Sequence, residues 1–357
     1  MKFTIGTARL QALINKAVRG AGFNKLIPMT SLVAIKLQDG TLTVTTTDAT
    51  NYLSLIEKNV VGDDFYIATK VELLAKLVSR LTCDEVTFEV TDNALEVNGN
   101  GKYQIEIELE DDGTFVTLPN PIETFEKTNK VGETNSAVIN TALTSIKPAL
   151  ATTMDYPWFT CYYVSDKKIT ATDAFTVADC SQGFLNESKL ISADVMDLLG
   201  LFNGSISVYA SDDKMLFEAE DGVVYGTIPS GIEHYSIEDI YALVDQHFDN
   251  SCKVVKSSLL NLLDRISLFV GDYDNDTITL EFGADGLNVT SSYANEKIAY
   301  VDSENAGEFV CQTDIKTLMT IVKAQTGSEF VIEYGEENAI KIVDGDIISV
   351  VALLTED

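Results

Sequence analysis

The chain repeats one pattern of hydrophobic and polar positions three times. In each copy a short apolar strand leads into a segment with apolar residues every three or four positions, which is typical of an amphipathic helix. Two runs of strict alternation around a polar turn follow, and they predict a β-hairpin. The copies begin at residues 2–5, 136–139 and 252–255, and a second half of the same kind follows each of them. The sequence therefore predicts six strand–helix–strands halves, two in each copy.

Six amphipathic helices follow from this periodicity. They are predicted at residues 7–19, 70–81, 141–151, 193–202, 257–269 and 314–325. Thr69, Ser192 and Thr313 precede three of them, at the position where a helix N-cap belongs. The predicted fold class is α+β, and because each half has one helix, the helices should cover one side of the molecule and the sheets the other. The three tandem, similar domains are expected at residues 1–125, 126–248 and 249–357.

Charge separates the predicted helices from the rest of the chain. The chain has 25 Lys and Arg against 55 Asp and Glu, a net charge of −30. The predicted helices nevertheless carry a net charge of +5, which leaves −35 on all other residues. The helices would therefore attract a polyanion that the other surfaces repel, whereas ordinary solvated helix surfaces are the alternative interpretation. The helix cations that would face a polyanion are Arg9, Lys16, Arg19, Lys70, Lys76, Arg80, Lys147, Lys316 and Lys323.

The sequence contains no recognisable motif for catalysis, metal binding or a cofactor. The five cysteines include no C-x-x-C pair, there are only two histidines, and neither a P-loop nor a dinucleotide-binding fingerprint occurs. Asp48 and Asp173 occupy equivalent repeat positions and could form a carboxylate pair, although turn caps are the preferred hypothesis. No apolar run is long enough to span a membrane, and no signal peptide is evident. We therefore expect a cytoplasmic, non-catalytic protein without a cofactor, a metal or a membrane partner.

Several short stretches resemble the motifs of one protein family. They include the opening Met1-Lys-Phe-Thr, the spacing to Pro28 and the hairpin Asp39-Gly-Thr-Leu. Residues 171–178, Ala-Thr-Asp-Ala-Phe-Thr-Val-Ala, are similar to an Ala-Thr-Asp-Gly-His-Arg-Leu-Ala motif. Their order, together with the three-fold repeat, resembles the bacterial-type DNA sliding clamp, the beta subunit of DNA polymerase III, over the whole chain.

The resemblance implies a processivity factor that encircles DNA. In this family two chains meet head to tail in a closed ring, with three clamp domains in each chain, helices lining the hole and sheets outside. The implied partners are double-stranded DNA, bound without sequence preference, the replicative polymerase, a clamp loader and a second copy of the chain. The resemblance adds Asn24 and Lys25 to the DNA-facing residues.

The resemblance also implies an apolar cleft for partner peptides and a dimer interface. The cleft residues would be Phe159, Thr172, Ala174, Phe175, Thr176, Val177, Ile240, Tyr241, Val350, Ala352 and Leu354. The dimer interface would pair Tyr103, Ile105 and Ile107 with Leu268 and Phe269. Core positions in alternating strands are the alternative for Phe159, Val177 and Val350, and an internal strand is the alternative for residues 103–110.

The chain departs from the family at several of these positions. Ala174, Phe175 and Thr176 replace the family's Gly-His-Arg, and the C-terminus reads Leu-Leu-Thr-Glu-Asp instead of a Met-Pro-Met-Arg-Leu-like tail. These departures predict a diverged clamp, such as one carried by a virus or a mobile element. An acidic, β-rich, three-domain structural or scaffold binding protein that does not act on DNA is the alternative function, and an enzyme is a third.

Overall fold

The computed structural model describes residues 1–91, 93–271, 276–336 and 338–354. The last three residues of the predicted C-terminal tail, 355–357, lie outside the described residues. The β-strands are β1 (Lys2–Gly6), β2 (Leu32–Gln38), β3 (Thr41–Thr47), β4 (Tyr52–Glu57), β5 (Val61–Gly62), β6 (Phe65–Lys70), β7 (Glu85–Val90), β8 (Ala94–Asn98), β9 (Lys102–Glu106), β10 (Lys130–Asn135), β11 (Cys161–Val164), β12 (Ile169–Thr172), β13 (Thr176–Cys180), β14 (Lys189–Ser192), β15 (Ser205–Ala210), β16 (Lys214–Ala219), β17 (Gly222–Thr227), β18 (Asn250–Val255), β19 (Thr277–Gly283), β20 (Gly286–Thr290), β21 (Asn295–Ala299), β22 (Asp302–Glu304), β23 (Phe309–Asp314), β24 (Glu329–Tyr334), β25 (Ala339–Asp344) and β26 (Ile347–Ala352). The α-helices are α1 (Thr7–Ala17), α2 (Val71–Val78), α3 (Pro121–Thr124), α4 (Ser136–Thr141), α5 (Ala193–Leu199), α6 (Ile237–Val244), α7 (Lys256–Ser267) and α8 (Ile315–Ala324).

The chain divides into two compact units, and the first comprises residues 1–139 and 194–228. It contains a five-stranded sheet in the order β5-β1-β7-β8-β9 and an eight-stranded sheet in the order β10-β15-β16-β17-β4-β3-β2-β6. The antiparallel pairing of β17 with β4 joins strands of the predicted first and second domains into one sheet. Helix α1 buries Leu10, Leu13 and Ile14 and packs against β3, β4 and α2, so its apolar stripe is the one that the periodicity predicted.

The second unit comprises residues 140–193 and the described residues from 229 onward. It contains a nine-stranded sheet in the order β14-β11-β12-β13-β26-β25-β24-β18-β22 and a four-stranded sheet in the order β21-β20-β19-β23. The antiparallel pair β13·β26 joins the predicted second and third domains, just as β17·β4 joins the first two. Helices α7 and α8 pack against each other and bury Leu259, Leu263 and Leu318.

Five of the six predicted helices are confirmed within about three residues at each end, but the third one was misplaced. Residues 136–139 were predicted to be a strand, whereas they begin helix α4, and the strand is β10 before it. The physical reason is Asn135, whose Oδ1 accepts hydrogen bonds from the backbone N–H of Ala137 at 2.9 Å and of Val138 at 3.2 Å. This is the N-cap geometry that starts a helix. The helix continues as a π segment, Ala142–Ile146, and a 3-10 turn, Lys147–Ala149, that contains Pro148.

The predicted N-caps were wrong in two of three cases. Thr69 and Thr313 are fully buried strand residues, and the Thr69 hydroxyl donates to the Glu106 carbonyl at 2.7 Å. Helix α8 is capped instead by Asp314, whose Oδ1 accepts from the Thr317 N–H at 2.6 Å. The hydroxyl of Thr313 is buried without a hydrogen-bond partner. Ser192 does immediately precede α5.

We predict that Asp314→Ala destabilises the protein by about 1 kcal/mol, because it removes the N-cap of α8. Thr313→Val is the matched control, since valine has nearly the shape of threonine and removes only an unpaired buried hydroxyl. This control should leave the stability unchanged or increase it. Urea unfolding followed by circular dichroism measures both variants, and a larger loss for Thr313→Val than for Asp314→Ala would contradict this assignment of the cap.

Candidate functional site

Helices α1 and α2 place most of the predicted DNA-facing cations of the first unit on neighbouring elements. The Gln11 side chain donates to the carbonyls of Val78 and Leu81, both at 3.0 Å, and so ties α1 to the end of α2. Arg19 lies in the 3-10 turn after α1, and Arg80 lies just after α2; both side chains are exposed. The two helices therefore present cations on the side opposite their buried stripes.

Carboxylates neutralise several of these cations, which the sequence did not reveal. Five predicted DNA-facing residues form ion pairs, namely Arg9 with Glu57, Lys16 with Asp221, Lys70 with Glu108, Lys76 with Glu72 and Lys316 with Asp276. In the described part of the chain no carboxylate lies within 4.0 Å of the charged nitrogens of Arg19, Lys25, Arg80 and Lys323. The helix surfaces therefore carry less uncompensated positive charge than the count of helix residues indicates.

Asn24 makes hydrogen bonds within its own loop. Its Oδ1 accepts from the Leu26 N–H at 2.9 Å, and its backbone N–H donates to the Thr30 hydroxyl at 2.8 Å. These bonds shape a loop at residues 23–27 in which Lys25 is exposed and Leu26 is 90% exposed. Both Asn24 and Lys25 are exposed, with the apolar side chain of Leu26 beside them.

Helix α8 presents the predicted cations of the second unit. Lys316 and Lys323 are exposed, while Ile315, Leu318 and Val322 on the opposite side are buried. The Lys256 ammonium, from the start of α7, donates to the Lys323 carbonyl at 3.0 Å. A cation at this position stabilises the C-terminal end of α8. Lys147 is half-buried in the 3-10 turn that follows the π segment.

The loop that begins at Asp48, between β3 and β4, is held by its own side chains. Asp48 Oδ1 accepts from the N–H groups of Thr50 at 2.7 Å and Asn51 at 2.6 Å. The Thr47 hydroxyl donates to the Asn51 carbonyl at 2.7 Å and accepts from the Ala49 N–H at 2.9 Å. Ala49 takes a φ of 83°, in the left-handed region.

The loop between β12 and β13 repeats these bonds with the next copy's residues. Asp173 Oδ1 accepts from the N–H groups of Phe175 at 2.9 Å and Thr176 at 2.7 Å. The Thr172 hydroxyl donates to the Thr176 carbonyl at 2.6 Å and accepts from the Ala174 N–H at 3.0 Å. Ala174 takes a φ of 77°. Both aspartates are therefore turn caps, as the preferred hypothesis stated, and neither oxygen pattern indicates an acid–base pair.

The left-handed backbone explains the difference from the family motif at this loop. A residue with a Cβ is strained by roughly 1–2 kcal/mol in that region, whereas glycine is not. The family motif has Gly where this chain has Ala174. The chain therefore keeps the loop at a cost in backbone energy, which the four hydrogen bonds of Thr172 and Asp173 described above offset.

We predict that Ala174→Gly raises the free energy of unfolding by about 0.5–1 kcal/mol, because relief of the strain exceeds the greater flexibility of glycine in the unfolded chain. Ala178→Gly is the control, because Ala178 is buried in β13 and has no positive φ. That substitution should destabilise the protein. Denaturant titration measures the free energy of unfolding of both variants. A loss of stability in Ala174→Gly would count against strain at this position.

The predicted cleft residues fall into a buried group and an exposed group. Val177, Ile240 and Val350 belong to one hydrophobic cluster of the second unit, and Phe159 packs against it. Thr172 and Thr176 are also buried. Phe175 is 73% exposed and Leu354 is 45% exposed, Ala174 is exposed, and Tyr241 and Ala352 are half-buried. The Ala352 N–H donates to the Phe175 carbonyl at 2.8 Å, which places the C-terminal strand beside the Asp173 loop.

Helix α6, which the sequence did not predict, packs against β13 and β26 over this cluster. Lys168 anchors it, since its ammonium lies 4.5 Å from the centre of the Tyr241 ring and 2.9 Å from Asp179 Oδ2. Asp179 is 1% exposed and also accepts from the Thr170 hydroxyl at 2.6 Å. Burial lowers the pKa of Lys168, but the hydrogen bond and charge of Asp179 outweigh burial and raise it above its usual value. Lys168 therefore stays protonated, and its contacts with Asp179 and the Tyr241 ring tie α6 to the sheet.

Two of the predicted cleft residues, Phe175 and Thr176, line a hollow of about 520 Å³. Phe175 forms part of its lining, together with Leu150 and Thr153 on one stretch and Thr320 and Ile321 of α8. Its size suits a few side chains of a peptide. The sequence offered no signal for Leu150 or Ile321 beyond their place in an apolar stripe.

The predicted interface residues lie in or just after β9 and just after α7. Strand β9 is an edge strand of its sheet, so residues 103–106 do not form an internal strand. Tyr103 is exposed on it, while Ile105 and Ile107 are buried within the first unit. Leu268 and Phe269 follow α7 in the second unit, and both are exposed, Leu268 by 79%.

Two further observations concern the chemistry of the described residues. They contain no group of three or more His, Cys, Asp or Glu side chains placed to hold a metal ion. In the same part of the chain no helix has the length and apolar character needed to cross a membrane.

The architecture of tandem strand–helix–strands halves is that of the three-domain DNA sliding clamp. Solved structures with this fold match the chain along its full length. The sliding clamp of Bacillus subtilis has 17% identity and a TM-score of 0.83, with 100% of each chain covered. The DNA polymerase III beta chain of Streptococcus pneumoniae has 14% identity and a TM-score of 0.84, with 99% of this chain and 100% of that one covered.

A clamp of Pseudomonas aeruginosa bound to griselimycin has a TM-score of 0.85 at 14% identity, again with 100% of each chain covered. No family model matches the sequence, and a comparison with curated proteins found no match either. The fold is therefore that of the sliding clamps, on a sequence that has diverged far from theirs.

Proposed function

We propose that the chain is a DNA sliding clamp, a non-catalytic processivity factor that encircles duplex DNA and tethers the replicative polymerase. The observation that carries this proposal is the match in fold over the whole length of both chains to DNA polymerase III beta subunits. The exposed cations on and beside α1, α2 and α8, in a chain of net charge −30, support it independently. Such a protein would work in the cytoplasm, where a clamp loader would place it on DNA.

The proposed ring consists of two chains, each with domains at residues 1–125, 126–248 and 249–357. An exposed edge strand with free backbone groups is a ready site for pairing with another chain. Strand β9 supplies such an edge, with Tyr103 exposed on it. Leu268 and Phe269 expose apolar side chains that would be covered in a head-to-tail dimer.

We expect the contact between the clamp and DNA to be weak. Each phosphate that a cation neutralises adds salt-dependent affinity, and a clamp that gripped many phosphates would slide slowly. Among the predicted DNA-facing cations of the described residues, Arg19, Lys25, Arg80 and Lys323 have no carboxylate within 4.0 Å of their charged nitrogens, so they should supply most of the attraction. Exposed Ala8 and Ala12 between the cations of α1 add no base-reading group.

The proposed partner site is the surface formed by Phe175, Leu354 and the adjacent hollow. The buried residues Val177, Ile240 and Val350 would form its floor and hold α6 in place. A polymerase peptide would insert one or two apolar anchors beside the Phe175 ring, since a few anchors dominate such contacts.

We predict that Arg19→Glu together with Arg80→Glu weakens duplex DNA binding. The slope of the logarithm of the binding constant against the logarithm of the salt concentration should become shallower by roughly one per lost phosphate contact. Lys127→Glu with Lys130→Glu is the control, because it changes the charge equally on β10 and the segment before it, where both lysines already pair with glutamates. Anisotropy titrations of a fluorescent duplex measure both. Equal effects of the two variants would remove the support for a DNA-facing helix surface and favour the scaffold alternative.

We predict that Phe175→Ala lowers the affinity for a peptide from the replicative polymerase by about 1–3 kcal/mol, because an exposed aromatic anchor is lost. Tyr293→Ala removes an equally exposed aromatic ring elsewhere in the second unit and should change nothing. The melting temperature and the mass by light scattering should stay as in the wild type. Unchanged peptide affinity in Phe175→Ala would place the partner site elsewhere.

A further inference from the structure

Two cations of α1 are held by carboxylates from outside the helix. Arg9 donates from Nε to Glu57 Oε1 at 2.8 Å and from Nη2 to the Lys58 carbonyl at 2.7 Å. Lys16 donates to Asp221 Oδ2 at 3.1 Å. Glu57 ends β4, and Asp221 lies in the turn between β16 and β17. The sequence places these carboxylates 48 and 205 residues from their partners, so the pairs form only in the folded chain.

The surroundings keep both carboxylates close to the helix. Arg9, Glu57 and Asp221 line one open hollow of about 350 Å³. Asn203 donates to Asp221 Oδ2 at 3.2 Å, and the other oxygen of Asp221 is buried without a partner. Hydrogen bonds from Lys16 and Asn203 therefore position the Asp221 carboxylate.

These two ion pairs contribute little to the stability of the fold. All four side chains are partly exposed, and ion pairs at such sites contribute little to stability. Their electrostatic effect on a ligand is larger, because a paired cation attracts a phosphate far less than a free one. The carboxylate competes with the phosphate for the cation. The cation can neutralise the phosphate, and so release a counterion from DNA, only when the carboxylate moves away or its repulsion is overcome.

We propose that Glu57 and Asp221 act as an affinity limiter, which shields Arg9 and Lys16 from DNA phosphates and leaves Arg19 and Arg80 as the main contacts. This inference rests on the proposed function, since it concerns the DNA contact of a clamp. The limiter keeps the number of phosphates neutralised by α1 small. A clamp with this device slides without being held at each phosphate along the duplex.

The test uses Glu57→Gln with Asp221→Asn, which removes both charges but keeps side chains of the same size and hydrogen-bonding ability. The control is Glu126→Gln with Asp111→Asn, which removes the same charge at two exposed residues that form no ion pair in the described part of the chain. Binding of a 30-base-pair fluorescent duplex is measured by anisotropy at several salt concentrations. Melting temperatures confirm that each variant is folded.

We expect the limiter variant to bind DNA about five- to fifty-fold more tightly at 0.1 M salt. The slope of the logarithm of its binding constant against the logarithm of the salt concentration should be steeper by roughly one to two, one for each freed cation. The control should change affinity by less than about twofold, the effect of a distant charge at this ionic strength. An equal gain in both double variants would overturn the limiter, because net charge alone would then explain it.

The Arg19→Glu, Arg80→Glu variant distinguishes failure of the limiter from failure of the proposed DNA-facing surface. If it loses binding while the limiter variant behaves like its control, the DNA-facing surface stands and the limiter is wrong. If it binds like the wild type, the assignment of the DNA-facing surface is wrong as well. Absence of duplex binding by every variant, including the limiter variant, would overturn the limiter and the DNA-facing surface, whereas retention on circular DNA tests the clamp function separately.

Discussion

Two antiparallel strand pairs hold the repeated halves of this chain together. β17 pairs with β4 through Val224 and Leu53, and β13 pairs with β26 through Val177 and Val350. Each pair extends a sheet of one repeat into the next, so that backbone hydrogen bonds cross the predicted domain boundaries. The two Asp-capped loops stand at the start of β4 and β13 because the same junction is built twice. The candidate cleft lies at the second junction, where Val177 and Val350 meet under α6.

Electrostatics is the second constraint on the molecule. On the proposed function, a strongly acidic chain must confine its attraction for DNA to one surface, which the helices would carry. The fold would then reduce this attraction, since Glu57, Asp221 and Asp276 bring negative charge to helix cations from other elements. Affinity for DNA would therefore depend on which cations are left without a carboxylate.

Local patterns predicted much of the fold. The apolar stripes of α1 and α8 and the alternation in β2 and β3 appear in the sequence because their periods are properties of a few neighbouring residues. The third helix was misplaced because the Asn135 cap overrode a short apolar run, and Asp314 replaced Thr313 as a cap through a one-residue shift. The resemblance supplied the cleft and interface residues, which hydrophobic periodicity alone does not distinguish from core residues.

The rest depends on contacts between residues distant in sequence. The pairing of Lys16 with Asp221 and the burial of Asp179 beside Lys168 are created by sheet order, which no local pattern encodes. Helix α6 has a short apolar stripe, but its position follows from the packing of Ile240 and Val244 in a core built from distant strands and from the Tyr241 contact with Lys168. The predicted charge of the helices was too positive, because the observed α-helices leave out Arg19, Lys70 and Arg80 and include the acidic α6. Which of the cations are free of carboxylates could be determined only from the folded structure.

The central claim is that this chain holds DNA by topology, and the most direct test is its retention on a nicked circular duplex. The protein is loaded with a clamp loader, the circle is separated from free protein in high salt, and half of the sample is cut once with a restriction enzyme. A closed ring should stay on the intact circle and leave the linear molecule by sliding off its ends. Equal loss from circular and linear DNA would contradict the account.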